Sequence, residues 1–341
     1  MNEVMKIKEY LERKGIVTDI ISIKELGGGT SHFNYLITTP TSKLVLRKDI
    51  DKSTKGKLER EYIALDAIKA LNIAPYPVIF ERKSPIGPFI ILNYLDGTLL
   101  SKRGYQLSHA FIKQLALEVA ELHSIPINAL KNKIPLEYHN PKFYLKEIKD
   151  YKKQLKPYVK SKEFFLWIDR VPQKIYKSNK KFNANYCLVH SDIQEHNILI
   201  ERKSIKFIDW ESVMISDPAS DISYIFTQFG RIFNNKQKKQ FMEEYLKNRK
   251  DISLKERVEF YIPIKFFISF LWSILQTVKI QKGILYYPNK KKSVADQKTY
   301  TRHGLQTLVE AYIIDKSEEN SLKKIIQKGK TPGLGIEPRD P

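Results

Sequence analysis

One stretch, residues 186–211, constrains this chain more than any other. It reads Tyr-Cys-Leu-Val-His-Ser-Asp-Ile-Gln-Glu-His-Asn-Ile-Leu-Ile, then a short basic hairpin, then Ile-Lys-Phe-Ile-Asp-Trp-Glu. An apolar strand end, Leu188-Val189, delivers His190, Asp192 and Asn197 in the spacing H-x-D-x-x-x-x-N, and a second apolar run, Ile205 to Ile208, delivers Asp209. Transfer of a phosphoryl group from a nucleoside triphosphate needs a carboxylate that orients the attacking hydroxyl and accepts its proton. It also needs oxygen ligands that hold Mg²⁺ across the phosphates. In that chemistry Asp192 is the base, and Asn197 and Asp209 are the metal ligands. Two hard oxygen ligands leave room on Mg²⁺ for phosphate oxygens and water. A hairpin whose polar ends merely cap turns explains His190 or Asp192 singly. It does not explain the whole set, with Asp217 and Asp221 following.

These residues resemble the protein-kinase-like superfamily, though not the protein kinases proper. Trp210-Glu211 stands where a protein kinase has Phe-Gly, and no Ala-Pro-Glu segment follows. Asp-Trp-Glu followed by Asp217-Pro218-x-x-Asp221-Ile222-Ser223 is similar to the aminoglycoside phosphotransferase and choline kinase group. His-x-Asp-x-Gln-Glu-x-Asn resembles choline and ethanolamine kinases in particular. The resemblance covers roughly residues 20–315. It implies a two-lobed α+β protein-kinase-like fold, with a small antiparallel-sheet N-lobe and a mostly helical C-lobe, and ATP and Mg²⁺ as cofactors. It gives Asp221 a structural role, tying the catalytic loop from the helix that follows; His190 is placed with it. Gln194 and Glu211 are assigned to the acceptor.

Upstream, strands are expected at 20–23, 33–37 and 43–47, after an amphipathic helix over 3–14. Between the first two strands lies Gly27-Gly28-Gly29-Thr30-Ser31. Glycines let backbone N–H groups approach phosphate closely, and hydroxyls add donors, so Gly28, Gly29, Thr30 and Ser31 are candidate nucleotide contacts. The loop resembles the family's Gly-Gly-x-Ser/Thr-Asn. The resemblance also makes Arg47 the cation aimed at the α- and β-phosphates, a forked and permanently charged contact. It makes Glu61, on a helix over 55–70, the partner of Arg47, with Glu59 close enough to compete. Asn93-Tyr94-Leu95-Asp96-Gly97 marks the hinge, where the backbone of Asn93 and Leu95 would meet the adenine edge.

A helix is expected over 108–123, with His123 as a structural end residue. Residues 128–182 read as helices with long loops. The helix expected over 258–280 contains Phe-Leu-Trp-Ser-Ile-Leu-Gln. It resembles a choline kinase helix in which two tryptophans face a quaternary ammonium group. Trp272 matches the second and Ser269 stands at the first. Stacking on ring faces is how such cations are held, so Trp272 is an acceptor candidate and Phe229 or Phe233 a candidate second wall.

At 341 residues the chain is long enough for two lobes: 1–94, 95–328, and a Gly- and Pro-rich tail at 329–341 expected to be disordered. The single cysteine, Cys187, excludes an internal disulfide framework and fits a reducing cytoplasm. The apolar run 260–278 approaches membrane-span length but holds Pro263 and Lys265, so a buried helix is expected and no membrane span. A formal charge of +21 suits a lysine-rich solvated surface and draws in ATP; no nucleic-acid motif accompanies it, so no obligate nucleic-acid partner is expected. The function read from the chain is phosphorylation of a small-molecule hydroxyl, with choline, ethanolamine or a related amino alcohol as acceptor. Two alternatives are a sugar or aminoglycoside kinase of the same group and a catalytically silent, basic nucleotide-binding adaptor. Intact Asp192, Asn197 and Asp209 argue against silence.

Overall fold

The structure is a computed structural model that describes residues 2–26, 32–49, 56–102, 107–136, 141–176, 184–202, 204–228, 233–284, 301, 305, 309 and 315–327. The chain divides into two compact units. One comprises residues 1–137 and 185–252, the other residues 138–184 and 253–341. The expected lobe boundary after Tyr94 falls inside the first unit.

The first unit opens with helix α1 (Glu3–Arg13), capped by the Asn2 side chain accepting from the Val4 N–H. Ile7, Tyr10 and Leu11 recur on one face and are buried against Tyr35, Ile37, Leu46, Phe89 and Ile91 of the sheet. Each such side chain contributes about 1.5–3 kcal/mol by leaving water. The sheet holds β1 (Ser22–Leu26), β2 (His32–Thr38), β3 (Lys43–Asp49), β4 (Pro77–Glu81) and β5 (Phe89–Asn93) in the order β1-β2-β3-β5-β4, all antiparallel. Tyr35 and Ile37 face the core from β2 with a period of two, which fixes its register against β3, while His32, at odd spacing from them, is buried on the opposite face. Helix α2 (Lys57–Ile68) starts after Gly56, whose φ of 85° is open to glycine at little cost. It buries Leu58, Glu61, Ala64, Leu65 and Ile68. A buried glutamate on that face needs a partner.

Strand β6 (Thr98–Leu99) pairs with β8 (Ile198–Glu201), which pairs with β9 (Ser204–Phe207); β7 (Cys187–Val189) pairs with β10 (Met214–Ser216). At Gly97 an added Cβ would lie 3.1 Å from the Ile200 carbonyl oxygen, so glycine lets the chain pass this close to β8. Helices α3 (His109–Leu122), α6 (Pro218–Gln228) and α7 (Asn235–Asn248) complete the unit, α7 with a capping box between Asn234 and Gln237.

The second unit is helical among its described residues. It contains α4 (Pro141–Leu155), α5 (Lys162–Tyr176), α8 (Leu254–Gln281) and α9 (Lys316–Gln327). Helix α8 begins four residues before its expected start and runs on through Pro263. Among the described residues it is the one helix long and apolar enough to cross a membrane, and half of its most apolar window is buried within the protein. Trp167 of α5 packs edge-on against Phe267 and Phe270 of α8 at 5.2 and 5.5 Å between centroids.

Candidate active site

The loop between β7 and β8 carries the site. Asp192 is held from three sides. Its Oδ1 accepts from the Tyr224 hydroxyl at 2.6 Å and from Gln194 Nε2 at 2.9 Å, and its Oδ2 accepts from Asn197 Nδ2 at 2.7 Å. Burial raises the carboxyl above the usual carboxylate range, opposed by the Tyr224 hydrogen bond and by His190. Asn197 sits at the start of β8, and its carbonyl accepts the Ile208 N–H at 2.9 Å. Asp209 therefore emerges beside it, one residue further along the paired strand.

His190 is fully buried and joins these segments. Its Nδ1 accepts the Asp192 N–H at 3.2 Å and its Nε2 lies 3.1 Å from the Ile208 carbonyl, which it faces as a donor. Its ring lies 4.5 Å from that of the buried Trp210. Ser191 and Asp209 adopt left-handed backbone, with φ of 70° and 66°. Such conformations cost of order 1 kcal/mol or more for non-glycine residues and persist where the surroundings impose them. Here the surroundings include Asp221 on α6. Its Oδ2 accepts the His190 N–H at 2.8 Å and faces His123 Nε2 at 3.2 Å, while its Oδ1 accepts the Ser191 N–H at 2.7 Å. His123 in turn meets the Tyr245 hydroxyl at 2.9 Å. Burial pushes the Asp221 carboxyl up, but His123, His190 and their hydrogen bonds outweigh it, and the group sits below its ordinary range.

A group depressed in this way stabilises the fold above the ordinary carboxylate range and loses that contribution as pH falls through its folded value. Asp221→Ala strips the acceptor from three donors, two of them fully buried. It is expected to cost about 3–5 kcal/mol, as breaking a buried charged network does. Urea denaturation at neutral pH reads this; a cost below 1 kcal/mol would show that the donors find other partners.

The sheet and α2 supply the second half. Arg47 of β3 reaches Glu61 Oε1 with Nη1 at 2.9 Å and Asp209 Oδ1 with Nη2 at 2.8 Å. Glu59 pairs instead with Arg82. Burial disfavours the Arg47 charge, but Glu61 and Asp209 more than restore it, and its pKa lies above the ordinary arginine value. Burial likewise raises Glu61 against the pull of Arg47. His32 is packed between the carboxylates. Its Nε2 lies 3.2 Å from Asp49 Oδ1, and its Nδ1 lies 3.1 Å from Glu211 Oε2 and 3.2 Å from Arg47 Nη2. Lys57 approaches the other Glu211 oxygen at 3.4 Å, and Arg60 donates to the Glu211 carbonyl at 2.8 Å. Glu211 thus faces β2 and α2 here, and contact with an acceptor would require exchanging those partners. Tyr224 and His32 were not singled out from the sequence. Tyr224 had one available signal, its i,i+3 spacing from Asp221 on a helix.

The Asn93 side chain accepts the Tyr76 N–H at 2.7 Å, and Leu95 follows it, half-buried. Gly28, Gly29, Thr30, Ser31 and Phe229 lie outside the described residues. Phe233 is buried among Phe226 and Phe241. Trp272, in the second unit, is 41% exposed, whereas Phe267 and Phe270 on the same helix are fully buried.

The donors suit Mg²⁺. Asn197 commits its amide nitrogen to Asp192, which leaves the amide oxygen as its ligand atom. Asp209 has one oxygen on Arg47, and its second makes no hydrogen bond among the described residues. An amide oxygen and a carboxylate are the hard ligands this ion takes.

Residues 22–261 match the model of a family described as the phosphotransferase enzyme family. Comparison with curated proteins gives no match. Solved structures share the fold. A spectinomycin phosphotransferase, in complex with ADP and spectinomycin, has a TM-score of 0.63 at 17% identity, covering 88% of this chain and 93% of its own. Choline kinase LicA from Streptococcus pneumoniae has a TM-score of 0.62 at 16% identity, covering 89% and 98%. An ethanolamine kinase from Plasmodium vivax has a TM-score of 0.62 at 18% identity, covering 87% and 86%. At these identities the likeness carries the kinase-like fold alone.

Proposed function

Because the chain belongs to the phosphotransferase enzyme family, we propose that it moves the γ-phosphoryl group of ATP, with Mg²⁺, onto the hydroxyl of an amino alcohol such as choline or ethanolamine. One observation carries this reading. Asp192 in the loop before β8 and Asn197 at the entry to β8 are hydrogen-bonded to each other, and Asp209, just past the paired strand β9, is tied to Arg47 of the sheet, which is buried and paired with Glu61 of α2. Such a cluster matches what positioning and charge stabilisation in phosphoryl transfer require.

In this reading Asp192 orients the acceptor hydroxyl and accepts its proton. Asn197 and Asp209 would hold Mg²⁺, which when bound screens the charge of the phosphates. Arg47 turns toward the α- and β-phosphates, its position fixed by Glu61. Gly28, Gly29, Thr30 and Ser31 contact the phosphates, and the backbone at Asn93 and Leu95 meets the adenine edge. His190 and Asp221 hold the loop in shape. Gln194, Glu211 and Trp272 recognise the acceptor, and the setting is a reducing cytoplasm, with Cys187 buried as a thiol.

Preference for a cationic acceptor rests on the motif around Asp192 and on the exposure of Trp272, which a core aromatic would not show. The test is ATP consumption across choline, ethanolamine, amino sugars and aminoglycosides. Amino alcohols are expected to be turned over. Turnover of sugars or aminoglycosides alone would overturn the acceptor class, and no turnover with any of them would overturn the kinase reading.

Trp272→Ala is expected to raise the KM for a cationic acceptor by up to about thirtyfold, the equivalent of about 2 kcal/mol for a desolvated cation on a ring face. The KM for ATP should be unchanged, and Trp272→Phe should recover part of the loss. With Ser269 in place of a second tryptophan, choline affinity should be modest. Equal losses for neutral and cationic acceptors would remove Trp272 from recognition.

A further inference from the structure

An ionised carboxylate offers about four lone-pair positions, two on each oxygen. In Asp192 both positions of Oδ1 are taken, by the Tyr224 hydroxyl at 2.6 Å and Gln194 Nε2 at 2.9 Å. Among the described residues, Oδ2 receives only Asn197 Nδ2, at 2.7 Å. Three donors therefore leave one open position, and it lies on Oδ2. We propose that Tyr224 is a positioning residue which, together with Gln194, closes Oδ1 so that the acceptor hydroxyl has a single place to dock on Asp192. This rests on the reading of Asp192 as the base.

The placement of Tyr224 supports the assignment. It stands three residues after Asp221 on α6, so the element that holds the backbone of His190 and Ser191 also reaches the Asp192 side chain. The bond is in the short, charge-assisted class for O–H donors on carboxylates. The remaining open position shares its oxygen with Asn197, whose amide oxygen is the candidate metal ligand. An acceptor on Oδ2 thus lies on the metal side of Asp192, and one on Oδ1 would lie on the α6 side. In transfer, the acceptor O–H bond breaks and its proton passes to Oδ2. The new O–P bond forms as the bond from the γ-phosphorus to the bridging oxygen breaks, and that electron pair leaves on the diphosphate. A hydroxyl seated on Oδ1 occupies the base without facing the phosphorus.

Tyr224→Phe and Gln194→Met each open Oδ1, so either alone is expected to lower kcat about tenfold, the low end for a lost hydrogen bond to a charged group. Opening the same oxygen twice adds little, so the double variant should also lose about tenfold rather than about a hundredfold. The assay follows Mg·ATP turnover with ethanolamine, and with water alone as an acceptor that needs no pocket. The KM for ATP should stay within about twofold throughout, because the change lies on the acceptor side. Losses that multiply, a Tyr224→Phe variant within twofold of the parent, or a kcat loss matched by a rise in ATP KM would each overturn the assignment. Asp192→Asn separates the two readings. If that variant keeps its turnover, the base assignment fails. If it loses turnover while Tyr224→Phe does not, only the role of Tyr224 falls.

Discussion

Asp192→Asn is expected to lower turnover by about 10²–10⁴-fold, the range a positioned general base contributes. Asparagine keeps the shape of the side chain, and its carbonyl can still accept from Tyr224. It cannot take a proton from an acceptor. Its amide nitrogen also opposes either Gln194 Nε2 or Asn197 Nδ2, donors that both now point at the carboxylate. In the proposed reading the nucleotide is held by other residues, so Mg·ATP affinity should hardly change. Steady-state kinetics beside equilibrium ATP titration checks both halves. Turnover near that of the parent would exclude Asp192 from the chemistry, and parallel losses in turnover and ATP affinity would point to a collapsed loop.

Asp209→Ala should have the larger effect on binding. The carboxylate is the one charged member of the candidate metal pair, and it also holds Arg47 at 2.8 Å. Removing an outer partner of a metal ligand typically costs about 10–100-fold in metal affinity. Loss of the ligand itself should exceed that and abolish productive Mg·ATP binding. Isothermal titration with Mg·ATP decides the matter, and unchanged binding would make Asp209 a turn residue. Asp209→Asn refines the test. It can keep a hydrogen bond to Arg47 but removes the charge, so it should bind metal poorly while leaving the Arg47–Glu61 pair in place.

The candidate loop could be read from the sequence because its residues are local. His190, Asp192, Asn197 and Asp209 lie within twenty consecutive positions, in the loop after β7 and at the open end of the β8–β9 hairpin, and apolar strand runs fix their spacing. Glu61 could be weighed against Glu59 only by resemblance. The fold separates them because one faces inward on α2 and the other reaches Arg82. Glu211 shows where local reading ends. Its neighbours in sequence suggested an acceptor contact, whereas His32 and Lys57, more than 150 positions upstream, are the partners that the fold brings to it. Tyr224 was missed for the same reason. A helix period shows that it shares a face with Asp221, but not which loop that face covers. Helix α8 was expected to be buried from Pro263 and Lys265, and half of its most apolar window is; its start was placed too late, because Leu254 and Val258 serve the core from a charged, unremarkable sequence.

The first unit is built from two separated pieces of chain, 1–137 and 185–252, and this affects how the site comes into being during synthesis. Arg47 can meet Glu61 as soon as β3 and α2 have emerged, but Asp209 lies 162 residues further along. At ordinary elongation rates of about 5–20 residues per second, that gap corresponds to roughly ten to thirty seconds on the ribosome. Until then β6 lacks β8, and the sheet carries its buried cation with only half of its counter-charge. Closing so long a loop adds little to the equilibrium cost but slows the search for the native pairing. Nascent chains that stop short of β9 should therefore have a formed sheet with no capacity to retain nucleotide, and that capacity should appear in one step once the strand bearing Asp209 is free to pair.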